Sequence, residues 1–174
     1  MSLPHQYNVR EKLTATDAPT FLLDGDAILS NTGCMYQITD TLFVGNIYEV
    51  EKPPAHIGAV LLVAEEFTPN APSGVIYERI PFKEFGEAKP ASLDQAIEWI
   101  ARHHPDNRIL VCCRVGMGRS VSVVMAYLCC VENMTYPDVF QLMMARRPGA
   151  CPLPNIQTTI KEVHQLRQAR LTQS

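Results

Sequence analysis

Cys113 and Arg119 stand six residues apart in the stretch Val111-Cys112-Cys113-Arg114-Val115-Gly116-Met117-Gly118-Arg119-Ser120. A thiol and a guanidinium thus close the two ends of a glycine-bearing turn, with an apolar run before it and an amphipathic run after it. Such a turn can point its backbone N–H groups inward as a nest, and a helix starting near Arg119 adds its own free N–H groups. Gly116 and Gly118 tolerate the dihedrals this requires. The positive field of the turn lowers the pKa of a thiol at its base. The resulting thiolate can attack phosphorus, while the planar fork of Arg119 grips two phosphate oxygens and follows them into the transition state. Ser120 can hydrogen-bond the sulfur and help it leave in a second step. Of the six cysteines only Cys113 has an arginine at this offset; the other five are followed six places on by Asp40, Gly118, Thr135, Tyr136 and Gln157. A structural cysteine in a buried strand is the plainer alternative. The strand, two glycines, serine and helix together favour the anion site.

The elements that must position this turn follow from the pattern around it. Residues 1–33 are polar and irregular, and read as an N-terminal arm or extension. From residue 34 to 174 the pattern is that of one domain. Gln37 to Val44 is a strand candidate, and Gly58 to Val63 a nearly all-apolar run suited to a strand buried on both faces. Val75 to Ile80 is a third strand, ended by Pro81. Ser92 and Gln95 form a capping box for a helix whose apolar face is Leu93, Ala96, Ile97 and Ile100 and which stops near Pro105. Ile109 to Cys113 reads as a central strand. Helices follow from about Arg119 to Val131, from a Thr135-x-x-Asp138 capping box to Pro148-Gly149, and from about Asn155 to Arg170. The pattern predicts an α/β domain with a central, mostly parallel sheet flanked by helices.

The chain of 174 residues carries a net charge of -3, which gives no broad basic surface for nucleic acid. Its longest apolar candidate, Val121 to Val131, is too short to cross a bilayer, and the first residues lack a secretory signal pattern. Two cysteine pairs are adjacent in sequence, a poor arrangement for ordinary disulfides, and no C-x-x-C pair suggests zinc. A reducing cytosol with free thiols, and no metal or other cofactor, is the reading that follows.

At these residues the chain resembles the cysteine-dependent protein tyrosine phosphatase superfamily, whose signature is C-x5-R-[S/T], and most closely its dual-specificity branch. Leu42-Phe43-Val44-Gly45, Leu61-Leu62-Val63-Ala64, Ala126-Tyr127-Leu128, Arg146-Arg147-Pro148 and Pro154-Asn155 fall in the family order, across about residues 34 to 170. The resemblance implies a protein tyrosine phosphatase-like fold and a phosphatase acting through a cysteinyl-phosphate. Its substrates would be phosphotyrosine, then phosphoserine or phosphothreonine, on proteins. It implies that Cys113, Arg119 and Ser120 are catalytic, and that Arg114, Val115, Gly116, Met117, Gly118 and Asn155 bind substrate, Asn155 by bracing the loop. The family has a histidine where Cys112 stands, and here Cys112 reads as a core filler. The family places its general acid, an aspartate, about thirty residues before the nucleophile. Here that stretch holds Glu84, and next Glu87, so that Glu84, Glu87 or no carboxylate is the acid. Asp94 reads as a first-turn helix residue, and Arg146-Arg147 as a solvated helix end or, less commonly, a pair that attracts a second phosphate. Arg114 leaves open a phosphoinositide, other lipid or sugar phosphatase. The missing aspartate and histidine leave open a weakly active phosphate-binding module. The oligomeric state is not legible.

Overall fold

The central sheet of the computed structural model, which describes residues 35–172, is built from runs that have no polar face to offer water. Strands β2 (Leu42–Gly45), β3 (Ala59–Ala64) and β5 (Ile109–Cys112) are buried at every position, as expected of parallel strands covered on both faces. With β1 (Tyr36–Gln37) and β4 (Ile76–Phe82), the sheet order is β1-β2-β5-β3-β4. β2, β5, β3 and β4 run parallel, and β1 is antiparallel to β2 at one edge. The mostly parallel α/β sheet expected from sequence is therefore present.

Alternation sorts the side chains of β5. Ile109, Val111 and Cys113 face the larger core, beneath helices α2 (Pro90–His103), α3 (Arg119–Cys130), α4 (Tyr136–Arg146) and α5 (Ile156–Leu171). Leu110 and Cys112 face the smaller one, with Phe43, Val60, Leu62 and Val50 of the short helix α1 (Tyr48–Glu51). Helix α3 is buried on every side from Arg119 to Cys129, the state of a helix at the centre of a core.

Three local expectations are corrected. The strand foreseen at Gln37 to Val44 is two strands, because Ile38 and Thr39 turn back with their N–H groups donating to the Leu42 carbonyl. Pro81 does not end β4. That strand lies at the sheet edge, and its register with β3 shifts between Leu62 and Ala64, a place where a missing N–H costs no ladder bond. Helix α2 starts two residues before Ser92, with Lys89 extended before it and Pro90 in its first turn. Proline already has the φ of a first helical residue, so the Ser92–Gln95 box is not used. The Thr135 cap of α4 does form: its hydroxyl accepts the Asp138 N–H and donates to the Asp138 carboxylate. The arm read at residues 1–33 lies outside the described residues.

Candidate active site

The loop from Cys113 to Gly118 joins the end of β5 to the start of α3, and it is seated on the turn after β2. The Cys113 N–H donates to the Gly45 carbonyl at 3.2 Å, and the Ile47 N–H donates to the Arg114 carbonyl at 3.4 Å. Gly116 has φ +67, and a Cβ there would stand 2.8 Å from the Gly45 carbonyl oxygen. Only glycine fits that backbone-on-backbone contact.

The opposite side of the loop is held by the segment after α4. The buried Arg147 donates from Nε to the Gly116 carbonyl at 2.9 Å, from Nη2 to Val115 at 3.3 Å and from Nη1 to Pro148 at 2.6 Å. Its guanidinium lies over the Tyr36 ring, 4.1 Å from the centroid. Arg147 is thus a buried brace of the loop, and not the solvated helix end expected from sequence. The Cys151 N–H meets the Met117 carbonyl at 2.8 Å. The Ser122 hydroxyl donates to Gly118 and accepts the Leu153 N–H.

Within this frame the Cys113 sulfur sits 3.3 Å from the Ser120 hydroxyl, both groups buried. Burial pushes the thiol up. The Ser120 hydroxyl and the backbone N–H groups of Ser120, Gly116 and Met117 outweigh it, and the thiol is held below its ordinary range. The same loop raises no such field at Cys112. Full burial, with Glu49 and Cys113 nearby, pushes that thiol far up, so Cys112 is a packing residue on the other face of the sheet.

Arg119 is buried at the first turn of α3. Its Nη1 and Nη2 donate to the two carboxylate oxygens of Glu66 at 2.5 and 2.7 Å, and Nη1 also reaches the Phe82 carbonyl at 3.2 Å. Burial disfavours the guanidinium charge, but Glu66 more than restores it. In return the Arg119 hydrogen bond holds the Glu66 carboxyl below its usual range. Glu66 and Arg147 are functional residues that sequence reasoning missed. The only signals were the Glu65-Glu66 pair ending a buried strand and the Arg146-Arg147-Pro148 run.

Glu84 and Glu87 lie in the segment between β4 and α2, and Glu84 reaches the site arginines. Glu84 pairs with Arg114 at 3.4 Å and lies 3.8 Å from Arg119. Glu87 instead accepts a hydrogen bond from the Asn155 amide. Asn155 takes a left-handed backbone, φ 56, ahead of α5 and forms no side-chain cap. Asp94 is not a first-turn residue, because α2 starts at Pro90 and its first turn holds no acidic side chain. It is buried and pairs with Arg167 at 2.8 Å and Arg170 at 2.6 Å, tying α2 to α5. Of the two histidines at the end of α2, His103 meets the Trp99 carbonyl and His104 reaches the Thr41 hydroxyl.

The site therefore joins a lowered-pKa thiol, inward-pointing N–H groups, a fixed guanidinium and a carboxylate at the rim. That set can bind a tetrahedral oxyanion and attack its centre. Comparison with known proteins agrees. The dual specificity phosphatase catalytic-domain model matches residues 43–166. Dual specificity protein phosphatase 1B of Arabidopsis thaliana is 28% identical over 153 residues, covering 81% of this chain and 84% of that protein. Dual specificity protein phosphatase 12 of Mus musculus is 29% identical over 132 residues, covering 70% of this chain and 38% of its own length. The chain therefore spans well under half of the mouse relative. Among solved structures, human DUSP28 superposes with a TM-score of 0.64 at 24% identity, covering 78% of this chain and 99% of that one. Tk-PTP in its active form superposes with a TM-score of 0.66 at 20% identity, covering 75% and 96%. At such identities these two show the shared fold. The chain belongs to the dual specificity phosphatase catalytic-domain family, the cysteine-dependent phosphoric monoester hydrolases.

Proposed function

We propose that residues 34–174 form a catalytic domain that hydrolyses phosphomonoesters on proteins, phosphotyrosine first and phosphoserine or phosphothreonine with it, and that residues 1–33 are an extension to it. The observation that carries the reading is the sulfur of Cys113, which lies within reach of three backbone N–H groups and the Ser120 hydroxyl.

The steps follow from the residues. The Cys113 thiolate attacks phosphorus and the ester P–O bond breaks. Backbone N–H groups of Val115, Gly116, Met117 and Gly118 and the Arg119 fork hold the three non-bridging oxygens as charge grows on them. The incoming phosphate competes with Glu84 for Arg114 and Arg119. Glu84, as general acid, delivers a proton to the leaving oxygen. Water then attacks the cysteinyl-phosphate, gives its proton to the same carboxylate and releases inorganic phosphate. The Ser120 hydroxyl stabilises the departing sulfur. Glu84 is preferred to Glu87 as the acid because it lies beside both site arginines, whereas Glu87 is engaged by Asn155. We place the protein in the cytosol, where its adjacent cysteine pairs remain thiols.

A panel of wild type, Cys113→Ser, Glu84→Gln and Glu87→Gln tests this reading against an aryl phosphate, a phosphotyrosine peptide and a phosphoinositide. The expected result is complete loss with Cys113→Ser. Glu84→Gln should lose about a hundredfold on the peptide, with a smaller loss on the aryl phosphate, whose leaving group needs little protonation. Turnover of the phosphoinositide alone would make the enzyme a lipid phosphatase. Phosphopeptide binding without any turnover would make it a binding module.

A further inference from the structure

The rim of the site carries apolar side chains that the chemistry does not use. Phe85 is 85% exposed, Tyr48 73% and Val115 53%, and they are three of the six large hydrophobic residues left exposed among the described residues. Each is next in sequence to Arg114 or to a residue that bonds it. Val115 follows it in the loop. Tyr48 follows Ile47, whose N–H donates to the Arg114 carbonyl. Phe85 follows Glu84, whose carboxylate pairs with the Arg114 guanidinium.

Phe85 also holds φ +58, a conformation that a bulky residue adopts only under constraint. Gly86 lies next to it and would adopt that conformation freely. The fold thus keeps an exposed aromatic ring, in a strained backbone, one residue from the candidate acid. Folding gains nothing from either property, and such outliers gather at functional sites.

The charges around the rim select the occupant. Glu84 pairs with Arg114, and Glu66 pairs with Arg119. The two site arginines are thus each offset by a carboxylate, and an anionic bilayer or an acidic segment would find no surplus positive charge there. We infer that Tyr48, Phe85 and Val115 are specificity-determining residues that pack against bulky apolar side chains flanking the phosphorylated residue of a peptide. This rests on the phosphatase reading of the same site.

The test compares kcat/KM on two phosphotyrosine peptides, one with Leu and Phe on either side of the phosphorylated residue and one with Asp and Glu there. The wild type should prefer the apolar peptide by about tenfold or more, the discrimination an apolar contact supplies. The double variant Tyr48→Ser/Phe85→Asn should bring that ratio down to about one, mainly through KM. Asparagine adopts positive φ with less strain than phenylalanine, so Phe85→Asn alone should melt no lower than wild type while part of the preference is lost. That split separates a binding role from a structural one.

Equal or better turnover of the acidic peptide overturns the inference, as does a ratio unmoved in the double variant. Sedimentation of the wild type, but not the double variant, with anionic phosphoinositide-bearing vesicles would overturn it in favour of a bilayer. Cys113-dependent turnover of an aryl phosphate by the same preparations separates the two failures: its presence leaves the phosphatase reading standing, and its absence removes both.

Discussion

Ser120→Ala isolates what a single hydroxyl contributes to the nucleophile. Ser120 is fully buried, and its Oγ lies 3.3 Å from the Cys113 sulfur. A hydrogen bond to a charged group contributes about 1.5–3 kcal/mol, and this contact, long for an oxygen donor but ordinary for sulfur, falls toward the lower end. Three backbone N–H groups continue to serve the thiolate in the variant. Because about 1.4 kcal/mol corresponds to one pKa unit, the thiol should titrate about one pH unit higher. The sign follows from the direction of the native perturbation. The folded protein holds this thiol low, so losing a stabiliser of the thiolate moves the acidic limb of kcat/KM to higher pH. Below that limb the variant should be slower by about tenfold, and above it the gap should narrow. The assay is the pH profile for an aryl phosphate, paired with the pH dependence of iodoacetamide alkylation at Cys113. Both curves should move together. Rapid mixing should also show a larger burst of released aryl alcohol, because the sulfur leaves more slowly in the second step. An acidic limb and alkylation curve that stay in place would refute the assignment of Ser120 as a stabiliser of the thiolate.

Four further outcomes follow from the geometry. Glu66→Ala should lower kcat/KM by about ten- to a hundredfold, since Arg119 loses the two bonds that aim its fork, and Glu66→Gln should recover part of that in steady-state assays. Arg147→Lys should cost about 2–3 kcal/mol in chemical denaturation, because an ammonium does not reproduce the fork that serves three carbonyls. At Asp94 burial opposes ionisation, but Arg167 and Arg170 prevail and hold its carboxyl below the usual range. The stability it contributes is therefore complete above the unfolded carboxyl's pKa of about 3.9 and is lost as pH falls through the lower folded value. Urea midpoints measured across acid pH should fall more steeply for wild type than for Asp94→Asn. Peroxide should modify Cys113 before the other thiols in mass-spectrometric mapping, since burial pushes Cys129 up to about 12 and Cys130 up to about 11; earlier oxidation of another cysteine would contradict this.

The part of the site that could be read from sequence is the part made of neighbours. Cys113, the loop glycines, Arg119 and Ser120 lie within eight consecutive positions, and strand-then-helix periodicity on either side locates them in the fold. The residues that hold them come from far along the chain. Glu66 lies 53 positions before Arg119, and Arg147 lies 31 after Gly116. Nothing in the local pattern of a Glu-Glu pair or an Arg-Arg pair distinguishes a brace from a solvated surface. Glu84 and Glu87 share one loop, and only the pairing of one with Arg114 and the other with Asn155 separates them. Strand limits failed for a related reason. Pro81 reads as a stop until β4 is known to be an edge strand, and edge position is a property of the whole sheet.

The contact between Gly45 and Gly116 has a thermodynamic consequence. It joins a turn at the end of one strand to the anion-binding loop at the end of its parallel neighbour, with backbone against backbone and no side chain to yield. The loop therefore cannot take its shape until β2 and β5 are paired, and an oxyanion held by the loop binds only the paired state. Ligand and sheet are linked by mass action: an anion at a hundred times its dissociation constant adds about 2.7 kcal/mol to the stability of the folded chain. Inorganic phosphate, the product of the proposed reaction, should thus act both as an inhibitor and as a folding ligand through the same few N–H groups.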